Sequence, residues 1–447
     1  MRVIVIGAGE VGFHIARRLI QEDQDVVLVD RDESVIERVA EQVDALTIVG
    51  NGTNPRVLAE AGLKEAGMLV AVSSDDAANL AACHLAAANG VPMKIARVGD
   101  PYYFREDVDI KGREFGADLL INPAQEIATT IDRLIATPGA IEAADFFKGR
   151  LRMIGLRVGD GSPISGRSLQ SLGDTIRDSG FLVLGLSRDG QVSIPRGTTV
   201  VRPHEFMLAV ARPETVPSLM DFCGVKHTPV ERVLIVGGGR VGYSLAERLS
   251  KRNIKVKVVE SSDKRAKVLA QNLPHILILH GDGTDIALLR SEGVQDMDVV
   301  VTVSDDEETN VFSALLAKRQ GCRKAVALVD RPDYLSLVFS LGIDAAVSPR
   351  LVTASVILRY LRGPNILAQF TSAFNEAEVV ELEVGPRAKA ARRSLARLDL
   401  SRDALVAGIA RGEEVEIPHG GTTIQGGDRV LLFALPKGLT EAERLFR

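Results

Sequence analysis

The hydrophobic pattern alternates between two periods along the chain. The run Val3–Ile6 is apolar throughout, as in a buried strand, whereas Val11, Ile15 and Leu19 recur at helical spacing after a glycine-rich turn. Further short apolar runs alternate with helical stretches, which predicts a doubly wound parallel sheet. The strands predicted in this region are Val3–Ile6, Val26–Val29, Ala45–Val49, Met68–Val72, Lys94–Val98 and Asp118–Ile121.

The second half of the chain repeats this pattern. IVGGGRVGYSLAERL (Ile235–Leu249) aligns without a gap with VIGAGEVGFHIARRL (Val5–Leu19). The surroundings align as well: GNGTNP matches GDGTD, AVSSDDAAN matches TVSDDEETN, and GADLLINP matches GIDAAVSP. Two chance motifs would not share their surroundings, so both halves follow one structural plan.

A smaller, different segment follows each of these units and is also repeated. GRSLQSL (Gly166–Leu172) matches RRSLARL (Arg392–Leu398), and both segments contain an IP-x-G stretch near their ends. Short alternating runs with turn residues predict a compact α+β module. The chain is therefore predicted to contain two doubly wound, Rossmann-like α/β domains, each followed by a small α+β domain. The predicted boundaries are 1–136, 140–216, a proline-containing linker at 217–230, 231–362 and 366–447.

The glycine spacing has a physical explanation in dinucleotide-binding folds. Gly7 permits a tight turn, Gly9 lets the backbone approach a pyrophosphate, and Gly12 allows the helix to pack close to the strand. The helix N-terminus offers unpaired N–H groups to phosphates. Asp30 ends the next strand, where a carboxylate can accept ribose hydroxyls; an ordinary glycine turn is the alternative explanation. The predicted ligand contacts of the first loop are Gly7, Ala8, Gly9, Glu10, Val11, Gly12 and Asp30.

Further candidates lie in the second loop and at the carboxyl ends of other strands. In the second half the corresponding residues are Gly237, Gly238, Gly239, Arg240, Val241, Gly242 and Glu260. Ser73 and Ser74 follow one strand and are either ligand contacts or helix caps. Arg97, at the end of another strand, could reach a phosphate. Leu328 takes the place of Arg97 in the second half, so the two pockets need not prefer the same nucleotide.

Composition narrows the class of function. A formal charge of −5 and a pI near 5.9 argue against a nucleic-acid-binding protein with a basic face. No apolar run approaches the ~20 residues of a membrane span, so we expect no direct membrane insertion. The chain opens directly into a strand, and we expect a cytoplasmic protein without a signal peptide. The three cysteines are far apart and predict neither disulfides nor a metal site.

The residues do not suggest catalysis. A dehydrogenase needs a substrate domain with an acid or base beside the nicotinamide, and the repeats leave no segment for one. None of the tyrosines has a lysine four residues on, and His14, His84 and His204 have no histidine counterparts in the other half. We therefore predict no catalytic residue. An NAD-dependent oxidoreductase remains the alternative.

The helix that ends each predicted sheet has an apolar stripe. Ile127, Ile131, Leu134 and Ile135 form the first, and Val352, Val356 and Leu361 form the second. Neither half has a further layer that would cover its own stripe. The sequence therefore predicts a homo-oligomer, a tetramer or another closed ring.

These tandem GxGxxG…D/E units, each followed by SDD…N and a small module with IP-x-G, resemble potassium-conductance-regulating (RCK) domains. The duplicated arrangement is similar to that of the regulatory subunits of bacterial Trk-type potassium uptake systems. The resemblance implies binding of NAD(H), or of ATP or ADP, and a ring docked on a membrane transporter subunit at the inner face of the cell membrane. A regulator of another potassium channel or exporter is the alternative. The implied ligand contacts are Gly7, Gly9, Gly12, Asp30, Ser73, Ser74 and Arg97, with Gly237, Gly239, Gly242 and Glu260 in the second half.

Overall fold

The first half of the chain forms a parallel sheet. The computed structural model describes residues 1–21, 23–105, 111–188, 191–361, 366–372, 377–435 and 438–447. The strands of the first sheet are β1 (Arg2–Ile6), β2 (Asp25–Asp30), β3 (Leu46–Val49), β4 (Ala66–Ala71), β5 (Met93–Arg97) and β6 (Leu119–Ile121). Their order is β3-β2-β1-β4-β5-β6 and all pairs are parallel, which confirms the predicted doubly wound sheet.

Polar residues begin the helices that connect these strands. Asp32, Asn54 and Asp75 each accept a hydrogen bond from a backbone N–H of the helix that follows. Such caps satisfy amides that have no partner within the helix. The helices are α1 (Glu10–Gln21), α2 (Glu33–Ala40), α3 (Pro55–Glu60), α4 (Asp76–Ala88) and α5 (Pro123–Ala136).

The first small module is an antiparallel sheet with two short helices. Its strands are β7 (Glu142–Phe146), β8 (Leu151–Arg157), β9 (Phe181–Arg188), β10 (Gln191–Ser193) and β11 (Phe206–Ala211), in the order β10-β9-β11-β8-β7. Its helices are α6 (Gly173–Asp178) and α7 (Val216–Phe222). Leu219 and Met220 of α7 are fully buried in the core of this module. The predicted linker at 217–230 therefore begins too early, because α7 belongs to the module.

The second half repeats both architectures. Its parallel sheet contains β12 (Arg232–Val236), β13 (Lys255–Glu260), β14 (Leu277–His280), β15 (Val299–Thr302), β16 (Lys324–Leu328) and β17 (Ala345–Val347), in the same relative order. The helices are α8 (Arg240–Ser250), α9 (Asp263–Asn272), α10 (Ile286–Ser291), α11 (Glu307–Arg319), α12 (Pro332–Ser340) and α13 (Pro349–Leu361). The second small module contains β18 (Ile366–Thr371), β19 (Glu378–Glu383), β20 (Ala404–Arg411), β21 (Glu414–Glu416), β22 (Arg429–Ala434) and α14 (Leu439–Phe446).

The two small modules share a hydrophobic core. Phe147 and Leu151 of the first module and Leu431 and Phe433 of the second are fully buried in one cluster. Each module also contains an arginine–carboxylate pair at the same place: Arg188 contacts Glu205, and the corresponding pair joins Arg411 and Asp428 at 2.8 Å. The repeat in sequence thus corresponds to a repeat in structure.

The compact units of the chain do not coincide with its two halves. One unit contains Met1–Ile127 and Pro349–Leu358, and the other contains Ala128–Ser348 and Arg359–Arg447. Most of α5 therefore belongs to the unit that contains the second parallel sheet, whereas the first part of α13 belongs to the unit that contains the first. The boundaries predicted at 136 and 362 follow α5 and α13, whereas the compact units divide within these two helices.

This exchange corrects the prediction of uncovered apolar stripes. On α5, Ile131, Leu134 and Ile135 are buried within the chain. On α13 the buried apolar side chains among the described residues are Ala354, Ile357 and Leu358, while the predicted Val352 and Val356 are only half-buried. The side chain of Leu361 lies outside the described residues. The stripe of α5 therefore does not call for a second copy of the chain, and on α13 the predicted face is not the one that packs.

Lys324 fastens α5 to the second sheet. Its Nζ donates to the carbonyl oxygens of Leu134 (2.9 Å) and Ala140 (2.8 Å), on either side of the C-terminus of α5. Burial lowers the pKa of Lys324 to about 8, although the charge of Asp344 acts in the opposite direction. The ammonium group therefore binds carbonyls around the C-terminal end of α5, at a cost in hydration.

We expect Lys324 to make the second unit more stable as the pH rises from about 8 to about 10.5. In that pH range the lysine is protonated in the unfolded chain but neutral in the folded one. The free energy of unfolding therefore rises with pH. The full shift corresponds to about 3 kcal/mol. The measurement is chemical denaturation of the wild type and Lys324→Met at several pH values, with the exposed Lys251→Met as control. A wild-type-minus-Lys324→Met difference that does not change with pH would contradict this assignment.

Candidate nucleotide-binding sites

The two glycine loops follow the central strands β1 and β12. Gly7 and Gly237 have φ values of +96° and +102°, a region that favours glycine. A Cβ atom at Gly7 would lie 2.8 Å from the backbone nitrogen of Ser73, and one at Gly237 would lie 2.7 Å from that of Ser304. Each glycine loop thus packs closely against the backbone that follows the neighbouring strand, β4 in the first half and β15 in the second.

The other two glycines of each loop have different surroundings. A Cβ atom at Gly12 would lie 1.8 Å from the carbonyl oxygen of Gly7, and the corresponding distance at Gly242 is 1.9 Å. Gly9 is exposed, and no atom lies within 4 Å of the position that its Cβ would take. The first helix can therefore begin very close to the strand, while the backbone at Gly9 stays open to a ligand.

An acidic side chain at the end of the second strand holds each loop. Asp30 accepts from the backbone N–H groups of Ala8 (2.7 Å) and Asp32 (3.0 Å). Glu260 accepts from Gly238 (2.8 Å) and Ser262 (2.7 Å). A carboxylate has about four acceptor sites, so each can accept further hydrogen bonds, for example from ribose hydroxyls.

The loop residue and the acid are matched in size in each half. A Cβ atom at Gly238 would lie 2.9 Å from Glu260 Oε2 and 2.2 Å from Leu269 Cδ1. In the first half the loop residue is Ala8, and the acid is the shorter Asp30. A longer acid thus accompanies a smaller loop residue, and both halves retain the bond from the loop to the carboxylate.

Asn79 and Asn310 bind the ends of two strands together, a role that the sequence analysis missed. Asn79 is fully buried; its Oδ1 accepts from the backbone N–H and hydroxyl of Ser73, and its Nδ2 donates to the carbonyls of Ser73 and Arg97. Asn310 makes the same four contacts with Ser304 and Leu328. The available signal was an asparagine six residues after the serine in both repeats.

The other first-half candidates lie beside this asparagine. Arg97 donates to the carbonyl of Ser73 (2.9 Å), so the two predicted contacts are brought together. Ser74 is exposed in the same loop, and Asp75 caps α4. Asp76 accepts from the backbone N–H groups of Gly99 and Asp100. Asp75 is thus the cap of this helix, and contact of Ser73 or Ser74 with a ligand stays a prediction.

The second site differs from the first in its basic residues. Leu328 replaces Arg97, and Arg331 donates to the Tyr334 hydroxyl (2.7 Å) rather than to the loop. Arg265, where the first half has Val35, donates to the carbonyl of Gly238 (2.9 Å). The second loop thus has an arginine at its rim that the sequence analysis did not single out.

Another missed residue lies at the first loop. Arg350, in the first turn of α13, forms a 2.7 Å ion pair with Glu10 at the start of α1. His14 follows one turn later; burial, and then the charges of Arg17, Arg18 and Arg350, lower its pKa to about 4. His14 is therefore neutral at physiological pH.

Two features, a metal site and a membrane-spanning helix, are absent from the residues that the structure describes. There, no group of histidine, cysteine or acidic side chains has an arrangement that could hold a metal ion. Among the same residues, no helix combines the length and the apolar character that crossing a bilayer requires.

Two parallel sheets, each with a glycine turn after its central strand and a carboxylate that holds the turn, define a protein with tandem Rossmann-type domains of the dinucleotide-binding kind. The TrkA-N domain matches residues 3–123 and 233–349, and the TrkA-C domain matches 379–447. The chain belongs to the TrkA family, which confirms the resemblance drawn from its motifs. The first small module has the strand order of the second, which carries the TrkA-C match.

Relatives and solved structures agree with this assignment. The chain is 36% identical to Trk system potassium uptake protein TrkA homolog 1 of Methanosarcina mazei and 35% identical to the TrkA homolog of Archaeoglobus fulgidus, with all of each chain covered. It is 32% identical to TrkA of Haemophilus influenzae, over 100% of this chain and 99% of that one. The GsuK channel bound to NAD has a similar fold, with a TM-score of 0.63 at 18% identity over 100% of this chain and 78% of that one.

We expect Asn79→Ala to destabilise the first parallel domain by about 3 kcal/mol or more, because it removes four hydrogen bonds in a buried place. The measurement is chemical denaturation. Asn89→Ala is the matched control on the same helix, since the Asn89 amide makes an exposed bond to the Leu85 carbonyl. Equal stability of Asn79→Ala and Asn89→Ala would contradict the bridging role of Asn79.

Proposed function

We propose that this protein is the nucleotide-sensing regulatory subunit of a Trk-type potassium uptake system. It binds NAD(H), or an adenine nucleotide such as ATP or ADP, at its two glycine loops. It acts as a homo-oligomeric ring, a tetramer or a related closed assembly, on a separate membrane subunit. Its place is the cytoplasmic face of the membrane.

One observation carries most of this proposal: the loop, the carboxylate and the bridging asparagine occur twice with the same contacts, in a chain of the TrkA family. The curated relatives are named as potassium uptake proteins, and GsuK structures hold NAD and ADP on a similar fold. The residues fit such a ligand, because Gly9 is open and the Asp30 carboxylate has acceptor capacity left.

A bound dinucleotide would meet three kinds of group at the first site. The N-terminus of α1 presents backbone N–H groups to the pyrophosphate. Asp30 accepts from the adenine ribose hydroxyls, and Ser73 and Arg97 lie at the ends of β4 and β5, respectively, on the next part of the rim. The nicotinamide group would supply hydride chemistry in a dehydrogenase; in this proposal it serves recognition only.

The energetics favour a switch made of several sites. A ligand shifts a conformational equilibrium only by its difference in affinity for the two states. One site typically contributes ~1–3 kcal/mol, whereas a shift from 1:99 to 99:1 takes about 5.5 kcal/mol. Two loops in each chain, multiplied by the chains of a ring, reach that value together. Duplication and assembly therefore have a physical purpose in regulation.

An NAD-dependent oxidoreductase is the second candidate. It differs from the proposal in requiring turnover, so incubation with NAD+ or NADH and candidate substrates should then change the absorbance at about 340 nm, the nicotinamide band used for hydride transfer. A regulator of a different potassium channel or exporter is the third. Reconstitution with one membrane partner at a time distinguishes that possibility from Trk-type uptake.

We expect the first site to prefer NAD over NADP, because the Asp30 carboxylate would repel a 2′-phosphate. Asp30→Ala should weaken NAD binding about tenfold or more. Asp30→Asn keeps an acceptor for the Ala8 N–H without the charge, so it should lose discrimination more than affinity. Calorimetry on the wild type and both variants is the measurement. Equal affinity of the wild type for NAD and NADP would contradict this assignment. The exposed Arg31 beside Asp30 is the group that could offset the repulsion of the 2′-phosphate.

We expect Gly9→Val to remove nucleotide control of potassium flux while the protein stays folded. A side chain at this position meets no protein atom but would occupy the place of the pyrophosphate. The measurement is potassium flux into vesicles that contain a Trk-type membrane subunit, with each variant and with NAD+, NADH, ADP or ATP. Gly239→Val is the matched variant for the second site. The proposed function would be overturned if potassium flux with the wild-type protein did not change with any nucleotide. Normal nucleotide control in Gly9→Val would overturn it as well.

A further inference from the structure

The ion pair between Arg350 and Glu10 joins parts of the chain that are distant in sequence. Arg350 begins α13, which follows the last strand of the second parallel sheet, yet Pro349–Leu358 belongs to the compact unit of the first. Its Nη1 lies 2.7 Å from Glu10 Oε2. The Arg350 side chain is 19% exposed and that of Glu10 is 49% exposed, so the pair lies at the surface with its guanidinium largely covered.

The position of this pair relates it to the glycine loop. Glu10 stands between Gly9 and Gly12 and is the first residue of α1. A phosphate at the N-terminus of α1 would therefore approach the Glu10 carboxylate, which carries the same sign of charge. Arginine binds carboxylates and phosphates with the same planar fork of N–H donors. Arg350 can thus serve either anion, and the phosphate competes with Glu10 for it.

The other basic residues of α1 lie beyond its first turn. Arg17 and Arg18 lie further along α1, and His14 is neutral because its pKa is about 4. Both arginines belong to the first half of the chain. The pair is also not repeated at the second loop, where the aligned residues are Arg240 in place of Glu10 and Ala124 in place of Arg350.

We propose that Arg350 is a specificity residue of the first site: it leaves Glu10 for the phosphates of a nucleotide that carries at least a diphosphate. The inference rests on the proposed function, since it assumes that the first loop binds nucleotide. Binding then ties the start of α13 to the phosphates at the first loop. An uncharged or singly phosphorylated ligand takes Arg350 from Glu10 less effectively because its charge is smaller.

The experiment is calorimetry of full-length protein with AMP, ADP and ATP. Arg350→Gln should weaken ADP and ATP about tenfold or more and AMP by a smaller factor. Glu10→Gln should tighten ADP several-fold, because the competing carboxylate is gone, and a misfolded protein could not produce such a gain. In the double variant this gain should be smaller, because only the screened like-charge repulsion between Glu10 and the phosphate is then relieved. Arg17→Gln, which removes an exposed charge from the same helix, should change the ADP affinity less than about twofold.

The outcomes separate this inference from the proposed function. Wild-type affinity for ADP in Arg350→Gln, together with lost binding in Gly9→Val, overturns the inference and leaves the function intact. Equal losses for AMP and ADP, or a gain in Glu10→Gln that is undiminished without Arg350, also overturn it. If the wild-type protein binds no nucleotide, both fail. Selective loss of ADP and ATP, with the gain in Glu10→Gln, supports the assignment.

Discussion

The close approach of the first helix to the central strand is the constraint on which each parallel domain depends. The carbonyl of Gly7 occupies the space that any side chain at position 12 would need, and Gly237 and Gly242 reproduce the arrangement. This contact places the N-terminus of the helix directly above the strand, where its N–H groups face the open residue Gly9. The hydrogen bond from Ala8 to Asp30 then holds the loop against the neighbouring strand. The geometry of the proposed phosphate site thus follows from backbone packing.

The bridging asparagine fixes the backbone on the other side of the glycine loop. Asn79 holds the chain that leaves β4 to the end of β5, and a Cβ at Gly7 would meet the backbone at the same serine. A displacement at the glycine loop therefore has to disturb either the Asp30 bond or the contact with Ser73. Rigid surroundings of this kind let a ligand's binding energy act on other parts of the protein rather than on rearranging its own site.

The terminal helices α5 and α13 are each held by one polar contact. Lys324 holds the C-terminus of α5 beside the second sheet, and Arg350 holds the start of α13 beside the first loop. The two contacts differ in chemistry. The first is a buried ammonium bound to two carbonyls; the second is an ion pair with a partly exposed carboxylate, which an anionic ligand can replace. The Lys324 contact therefore holds α5 in place, whereas the Arg350–Glu10 pair is the contact that responds to a ligand in our proposal.

The local pattern of the chain was sufficient for the sheets, the loops and the repeat. Alternating periods specify strands and helices, and the roles of Gly7, Gly12 and Asp30 follow from steric and hydrogen-bonding rules that act within a few tens of residues. Tertiary structure decided what depends on long-range packing. The apolar stripe of α5 showed that the helix needs a partner but not which sheet supplies it, because any complementary apolar surface satisfies the same pattern. The pairing of Arg350 with Glu10 was equally hidden, since charge alone does not choose between acidic partners 340 residues apart and others nearby.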